Sequence, residues 1–152
     1  MFSNFIFFVI VEGTPEATFE NGLLRTIGVE GPGDRMFPLF KKATPLPAIK
    51  TVNYKTAYHN QDSIKFKLFQ GEDDMASANQ LLGKYVCNGI PPAPAGKGRV
   101  AVVYRVSEDG VLTVMGTPVG SQRPEVMTFD LKSQEEKWMQ RYSVNSSTKA
   151  QK

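Results

Sequence analysis

The chain has 152 residues, 41% of them hydrophobic and 22% charged, with a net charge of +3. That length suits one domain with a sizeable core, and the composition excludes an intrinsically disordered chain. The charge is mild and no basic run is interleaved with aromatics, so nucleic acid is not an expected partner. A single cysteine, Cys87, excludes an internal disulfide and a cysteine-based zinc site, and a single histidine, His59, leaves no histidine cluster. No metal and no cofactor are expected; the single cysteine fits a reducing, intracellular compartment, and the expected location is cytoplasmic or mitochondrial.

The first element is the apolar run 5–11, FIFFVIV. It is too short to span a bilayer, which takes roughly 20 residues. No Lys or Arg precedes it, so it lacks the basic start of a signal peptide. Its phenylalanines and β-branched residues suit a buried strand, which needs a partner to cover it. Residues 12–22, EGTPEATFENG, are turn-rich and separate this extension, residues 1–22, from a central domain expected over 23–130.

Within that domain short β-type runs alternate with turn chemistry. Leu23–Val29 is the first run, GPGD at Gly31–Asp34 a turn, and Met36–Lys41 the second run, stopped by Pro45 and Pro47. Ile49–Thr56 follows, then a loop at His59–Asp62. Ser63–Gln70 alternates, with Ile64, Phe66 and Leu68 facing one way and Lys65 and Lys67 the other, the mark of a half-buried strand. Leu81–Cys87 alternates more weakly. Val100, Val102, Tyr104 and Val106 alternate with their neighbours, and SEDG at Ser107–Gly110 turns the chain into Val111–Met115. Strands at this spacing predict a mainly β protein, an antiparallel β-sandwich. Beyond Lys132, Ser133-Gln134-Glu135-Glu136 has the form of a capping box opening a short C-terminal helix, so residues 131–152 are expected to be a short helix and a frayed polar tail. Asn145-Ser146-Ser147 fits a glycosylation acceptor only in a secreted protein.

The stretch NGIPPAPAGKGR at Asn88–Arg99 invites several readings. As a phosphate loop it fails. Six residues separate Gly89 from Gly96 where the motif needs four, Lys97 is followed by Gly98 in place of Ser or Thr, and three prolines lack the N–H that would cradle phosphate. A linker or a proline-rich ligand for another protein fits less well than a rigid crossover inside one sandwich, entering the strand at Val100.

Three blocks then carry a resemblance: NQDSIKFKLFQGE (Asn60–Glu72), NQLLGKYVCNGIPPAPAG (Asn79–Gly96) and RVAVVYRVSEDGVLTV (Arg99–Val114). In this order they resemble the β-sandwich substrate-binding domain of the seventy-kilodalton heat-shock chaperone family. That family's segments have the form NQ-x-x-V-x-I-x-V-x-QGE, N-x-x-LG-x-F-x-L-x-GI-x-PAP-x-G and I-x-V-x-F-x-I-x-x-DGI-x-x-V. TIGVEGPGDRMFPLFKKATPLP (Thr26–Pro47) is similar to the family's first two strands.

The resemblance implies a stress-response chaperone module that binds extended hydrophobic segments of unfolded polypeptides in a channel at one end of the sandwich, with a pocket for one aliphatic side chain. Carried over position by position, the pocket lining falls on Val29, Tyr54, Ile64, Phe66 and Val100. Gly31 and Pro32 on one loop and Lys55 and Ala57 on another flank the peptide, and Gln61 stands where the family turns a side-chain amide toward the peptide backbone. The chain also departs from the family. Phe66 replaces an Ile or Val, Pro32 removes a backbone donor, and Ala95 and His59 replace the Arg and Asp of the lid latch. No nucleotide-binding domain or acidic linker precedes the sandwich in this sequence. The expectation is therefore a protein that is not an enzyme, relying on a separate ATPase chain for any ATP-gated cycle. The alternative is a structural subunit that kept the fold and packs into a larger assembly through residues 5–11. The acidic run Glu72, Asp73 and Asp74 is an ordinary exposed turn, and no residue is expected to be catalytic.

Overall fold

The structure is a computed structural model that describes residues 17–150, with side chains through Arg141. The apolar run 5–11 and the side chain of Asn145 lie outside the described residues. Among the described residues no helix is long and apolar enough to cross a membrane. The chain divides into two compact units, Phe19–Phe129 and a second made of the two chain ends.

The larger unit is an antiparallel β-sandwich, as the alternation predicted. Its strands are β1 (Ile27–Gly31), β2 (Arg35–Phe40), β3 (Ala48–Lys55), β4 (Ser63–Gln70), β5 (Gln80–Asn88), β6 (Arg99–Val106), β7 (Val111–Pro118) and β8 (Glu125–Asp130). One sheet runs β2-β1-β4-β5 and the other β3-β6-β7-β8. The inner face of the first sheet carries Ile27, Val29, Ile64, Leu68, Tyr85 and Cys87, all buried. The second contributes Val100, Val102, Tyr104, Val106, Leu112 and Val114, all buried. Each aliphatic side chain so buried is worth about 1.5–3 kcal/mol of transfer free energy, which makes this double layer the main source of stability.

Two details set how closely the layers meet. Gly116 in β7 pairs with the inward-facing Val102. A Cβ at Gly116 would lie against the Tyr85 hydroxyl and 3.1 Å from Cys87 Sγ, so only a glycine lets the first sheet approach there. Tyr85 in turn donates its hydroxyl to the Glu125 carbonyl at 2.7 Å, tying the first sheet to β8. Burial pushes both the Tyr85 phenol and the Cys87 thiol upward, so each stays protonated.

Several boundaries differ from the sequence reading. The first strand begins at Ile27, not Leu23, because Leu23 is held by the turn ahead of β3: its N–H donates to Thr44 and its carbonyl accepts from Ala43. Gly31 closes β1, and the turn itself is a 3₁₀ turn over Pro32–Asp34. Asp34, in a left-handed conformation, accepts hydrogen bonds from the Ser77 N–H and hydroxyl. The β4–β5 ladder shifts register between Leu68 and Phe69, where Leu82 of β5 is the extra residue. Phe69, on the face of β4 opposite Leu68, joins a small separate cluster with Met36 and Ala76. The strand β8 has no counterpart in the sequence reading.

The smaller unit contains α1, Leu131–Ala150. Its cap is Asp130, not Ser133: the Asp130 carboxylate accepts the Ser133 N–H at 3.1 Å, so Ser133 already lies inside the first turn. Among its described side chains, Leu131, Glu135 and Met139, spaced by four, are buried. Glu136 accepts the Ala17 N–H at 3.0 Å. The helix is twenty residues long, and helical backbone continues through most of the segment that the sequence suggested would fray.

Candidate functional site: one end of the sandwich

The C-terminal ends of β1 and β3 and the N-terminal ends of β4 and β6 share one end of the sandwich, because β1 pairs antiparallel with β4 and β3 with β6. Nine of the ten residues singled out from the sequence fall there. Tyr54 faces Val100 across the β3–β6 ladder, and Ile64 and Phe66 lie on the inner face of β4. Val29 sits further down, level with Leu68. Gly31 and Pro32 form the β1–β2 corner, while Lys55, Ala57 and Gln61 belong to the end of β3 and the loop after it. Among the described residues no hydrogen bond joins the Pro32 turn to the β3–β4 loop.

Four rings meet between the sheets. Phe66 stacks on Tyr54 with centroids 5.4 Å apart, and lies 5.1 Å from Tyr85 and 6.2 Å from Tyr104. Phe66 and Tyr85 are direct cross-strand partners, the arrangement in which aromatic pairs add to sheet stability. The hydroxyls of Tyr54 and Tyr104 hydrogen-bond at 2.7 Å. Burial raises the pKa of Tyr54, partly offset by that bond, and raises Tyr104 well above the ordinary phenol range. The pair therefore stays neutral, and the Tyr54 ring is anchored.

Gln61 is engaged at both ends within its own loop. Its Oε1 accepts the Ala57 N–H at 2.7 Å and its Nε2 donates to the Ser63 carbonyl at 2.8 Å. One amide hydrogen and one oxygen lone pair are left for any other partner. Lys55 and Ala57 are exposed, as is Pro32.

The proline stretch crosses from β5 in one sheet to β6 in the other, and the β3–β4 loop holds it. Thr56 is the clasp. Its N–H donates to the Gly98 carbonyl and its carbonyl accepts from Gly96, both at 2.9 Å. Its hydroxyl oxygen accepts the N–H groups of Gly96 at 3.2 Å and Gly98 at 3.1 Å. Asn60 and Ala93 add a backbone bond, and the Ala95 N–H donates to Nδ1 of His59 at 3.2 Å. His59 and Ala95, the two positions that the sequence reading set against a lid latch, thus touch each other.

Sequence reasoning missed Thr56 and also Phe37. The Phe37 ring, 47% exposed, lies over Gly31, where a Cβ would collide with it. Phe37 is the β2 partner of Val29 and so shares its face. The glycine that ends β1 was the available signal. A cleft lined by Thr26, Lys41, Lys42, Glu72 and Asp74 lies at the opposite end of the first sheet. There Glu72 is taken up by Thr26, which donates its N–H at 3.1 Å and its hydroxyl at 2.6 Å.

An eight-stranded antiparallel sandwich, with the β3–β4 loop clasped to the proline crossover and four rings meeting between the sheets, is the architecture expected from the three sequence blocks. The comparisons agree at the level of the family. A model of the Hsp70 protein family matches residues 21–151. The chaperone protein DnaK of Halobacterium salinarum, in strains R1 and NRC-1, is 36% identical over 105 residues, 69% of this chain and 17% of the relative. The chaperone protein DnaK of Deinococcus radiodurans is 35% identical over the same length. The chain belongs to the Hsp70 family, and it spans less than a fifth of the length of these relatives.

One expectation is thereby corrected. The sequence reading expected a protein that is not an enzyme. The match to the Hsp70 family and to DnaK overturns that exclusion: membership links the chain to a family that the resemblance already tied to ATP use. The segment seen here is no ground for denying the protein ATPase activity.

Proposed function

We propose that this sandwich is the peptide-holding part of a heat-shock-70-type chaperone, binding extended apolar segments of unfolded polypeptides at the clasped end. The observation that carries the reading is the convergence of Tyr54, Phe66, Ile64 and Val100 beside two unlinked loops, one carrying Pro32 and the other Ala57 and Gln61. Such an end can receive an extended chain between its flanks, with main-chain hydrogen bonds giving sequence tolerance and an apolar floor taking one side chain. Half-buried rings and the exposed Lys55 at the rim suit apolar, neutral or acidic peptides better than basic ones.

The test is fluorescence anisotropy of labelled extended heptapeptides with apolar centres, titrated with the 152-residue chain, against a highly charged control peptide. Saturable binding in the micromolar range is expected for the apolar set alone, about −8 kcal/mol at one micromolar. Phe66→Asp, shown to be folded by circular dichroism, is expected to lose it. Retained binding in the folded variant would put the site elsewhere.

A further inference from the structure

Resting on that reading, we infer that Phe66 sets the substrate class of the site, restricting it to segments whose central side chain is small, such as Ala or Ser, and disfavouring Leu. The aliphatic residues that would wall a deep pocket are not offered to a ligand. Val29 and Ile64 are each 8% exposed and Val100 is 1% exposed. What a ligand meets instead is the half-buried pair Tyr54 and Phe66, stacked at 5.4 Å with their planes 24° apart. This is a shelf rather than a hole.

The shelf is fixed from both sides. Tyr54 is held by its hydroxyl bond to the buried Tyr104. Phe66 is held by contact with the rings of Tyr85 and Tyr104, both fully buried. Neither ring can swing away to admit a branched side chain without breaking contacts to the core. Phe37 over Gly31 occupies space on the same inner face at the β1 rim. A short side chain lies flat on such a shelf and lets the peptide backbone reach the flanking loops. A Leu side chain props the backbone away from them. One or two methylenes mismatched to an apolar site shift affinity by roughly 10- to 200-fold, so the discrimination is measurable.

The experiment measures anisotropy with two labelled heptapeptides that differ only in a central Ala or Leu. They are titrated against the full chain, Phe66→Val and the milder Phe66→Leu, each checked for fold by circular dichroism. The expected result is at least about 10-fold tighter binding of the Ala peptide by the unaltered chain. That preference should shrink in Phe66→Leu and be erased or reversed in Phe66→Val. If the unaltered chain binds the Leu peptide as well or better, this inference fails while the peptide-holding function stands. If a folded Phe66→Val keeps the Ala preference, Phe66 is not the determinant. If neither peptide binds the unaltered chain or any folded variant, the peptide-holding reading and this inference fall together.

Discussion

Replacing Thr56 by valine tests the idea that the proline crossover is held by one hydroxyl. Valine keeps the shape of threonine but removes the oxygen that accepts the N–H groups of Gly96 and Gly98. Gly96 keeps its bond to the Thr56 carbonyl. Gly98 is buried and loses its acceptor. An orphaned buried donor costs about 1–3 kcal/mol, and a methyl group cannot sit as close to the Gly98 nitrogen as the oxygen does, which pushes the loop outward. For a chain of this size that corresponds to a melting temperature lower by roughly 3–10 °C. Thr56→Ser separates hydrogen bonding from packing: it keeps both bonds and gives up one methyl group, about 0.8 kcal/mol. Thermal unfolding of the three proteins, with hydrogen exchange at Gly96 and Gly98, measures both effects. The valine variant is expected to be the least stable and to lose protection at Gly98 by at least about tenfold, while the serine variant keeps it. Equal stability of the two variants, with Gly98 still protected in valine, would refute the clasp.

Three further outcomes follow from the same geometry. Gly116→Ala places a methyl group against Tyr85 and Cys87 and is expected to cost about 1–3 kcal/mol in urea unfolding, whereas a neutral effect would show that the sheets can part at no cost. Burial raises Cys87, Tyr85 and Tyr104 above their ordinary values of 9.0 for the thiol and 10.0 for the phenols. The native state therefore keeps protons that the unfolded chain releases. Stability should be level below the thiol's ordinary value and fall at higher pH, by up to about 1.4 kcal/mol per pH unit for each group. Urea midpoints that stay constant across the alkaline range would contradict this. Asp130→Ala removes the helix cap and should cost about 0.5–2 kcal/mol with reduced helical circular dichroism, while Ser133→Ala should leave the signal nearly unchanged; the reverse order would restore Ser133 as the cap.

The sandwich was legible wherever one face of a strand is buried and the other wet. In β4 and β6 the period of two could be followed residue by residue, and β4 has the limits the alternation predicted, Ser63 and Gln70. Strand β8 was illegible because Phe129 is its only buried residue, leaving no alternation to detect. The helix start was misplaced because the capping-box pattern at Ser133 is local, whereas Asp130 ends a strand and caps the helix at once. At the candidate site the inward residues could be named from sequence, but not their exposure. That Val100 is sealed while Phe66 is half open depends on neighbours brought together from four strands. Thr56 gave no signal, since its partners lie some forty residues away beyond the prolines.

The interleaving of the two sheets constrains the order in which this chain can fold. The third strand in sequence belongs to the second sheet, yet its ladder partner, β6, does not begin until Arg99. During synthesis β3 emerges with Tyr54 and Val52 uncovered, and it stays unpaired while the four strands of the other sheet complete their hairpins around it. Such long-range pairing slows folding and leaves an unpaired strand open to wrong partners meanwhile. No truncation ending before β6 can retain the second sheet. A module proposed to hold unfinished chains thus passes, on its own way to the native state, through a stage with an exposed and unpaired strand of its own.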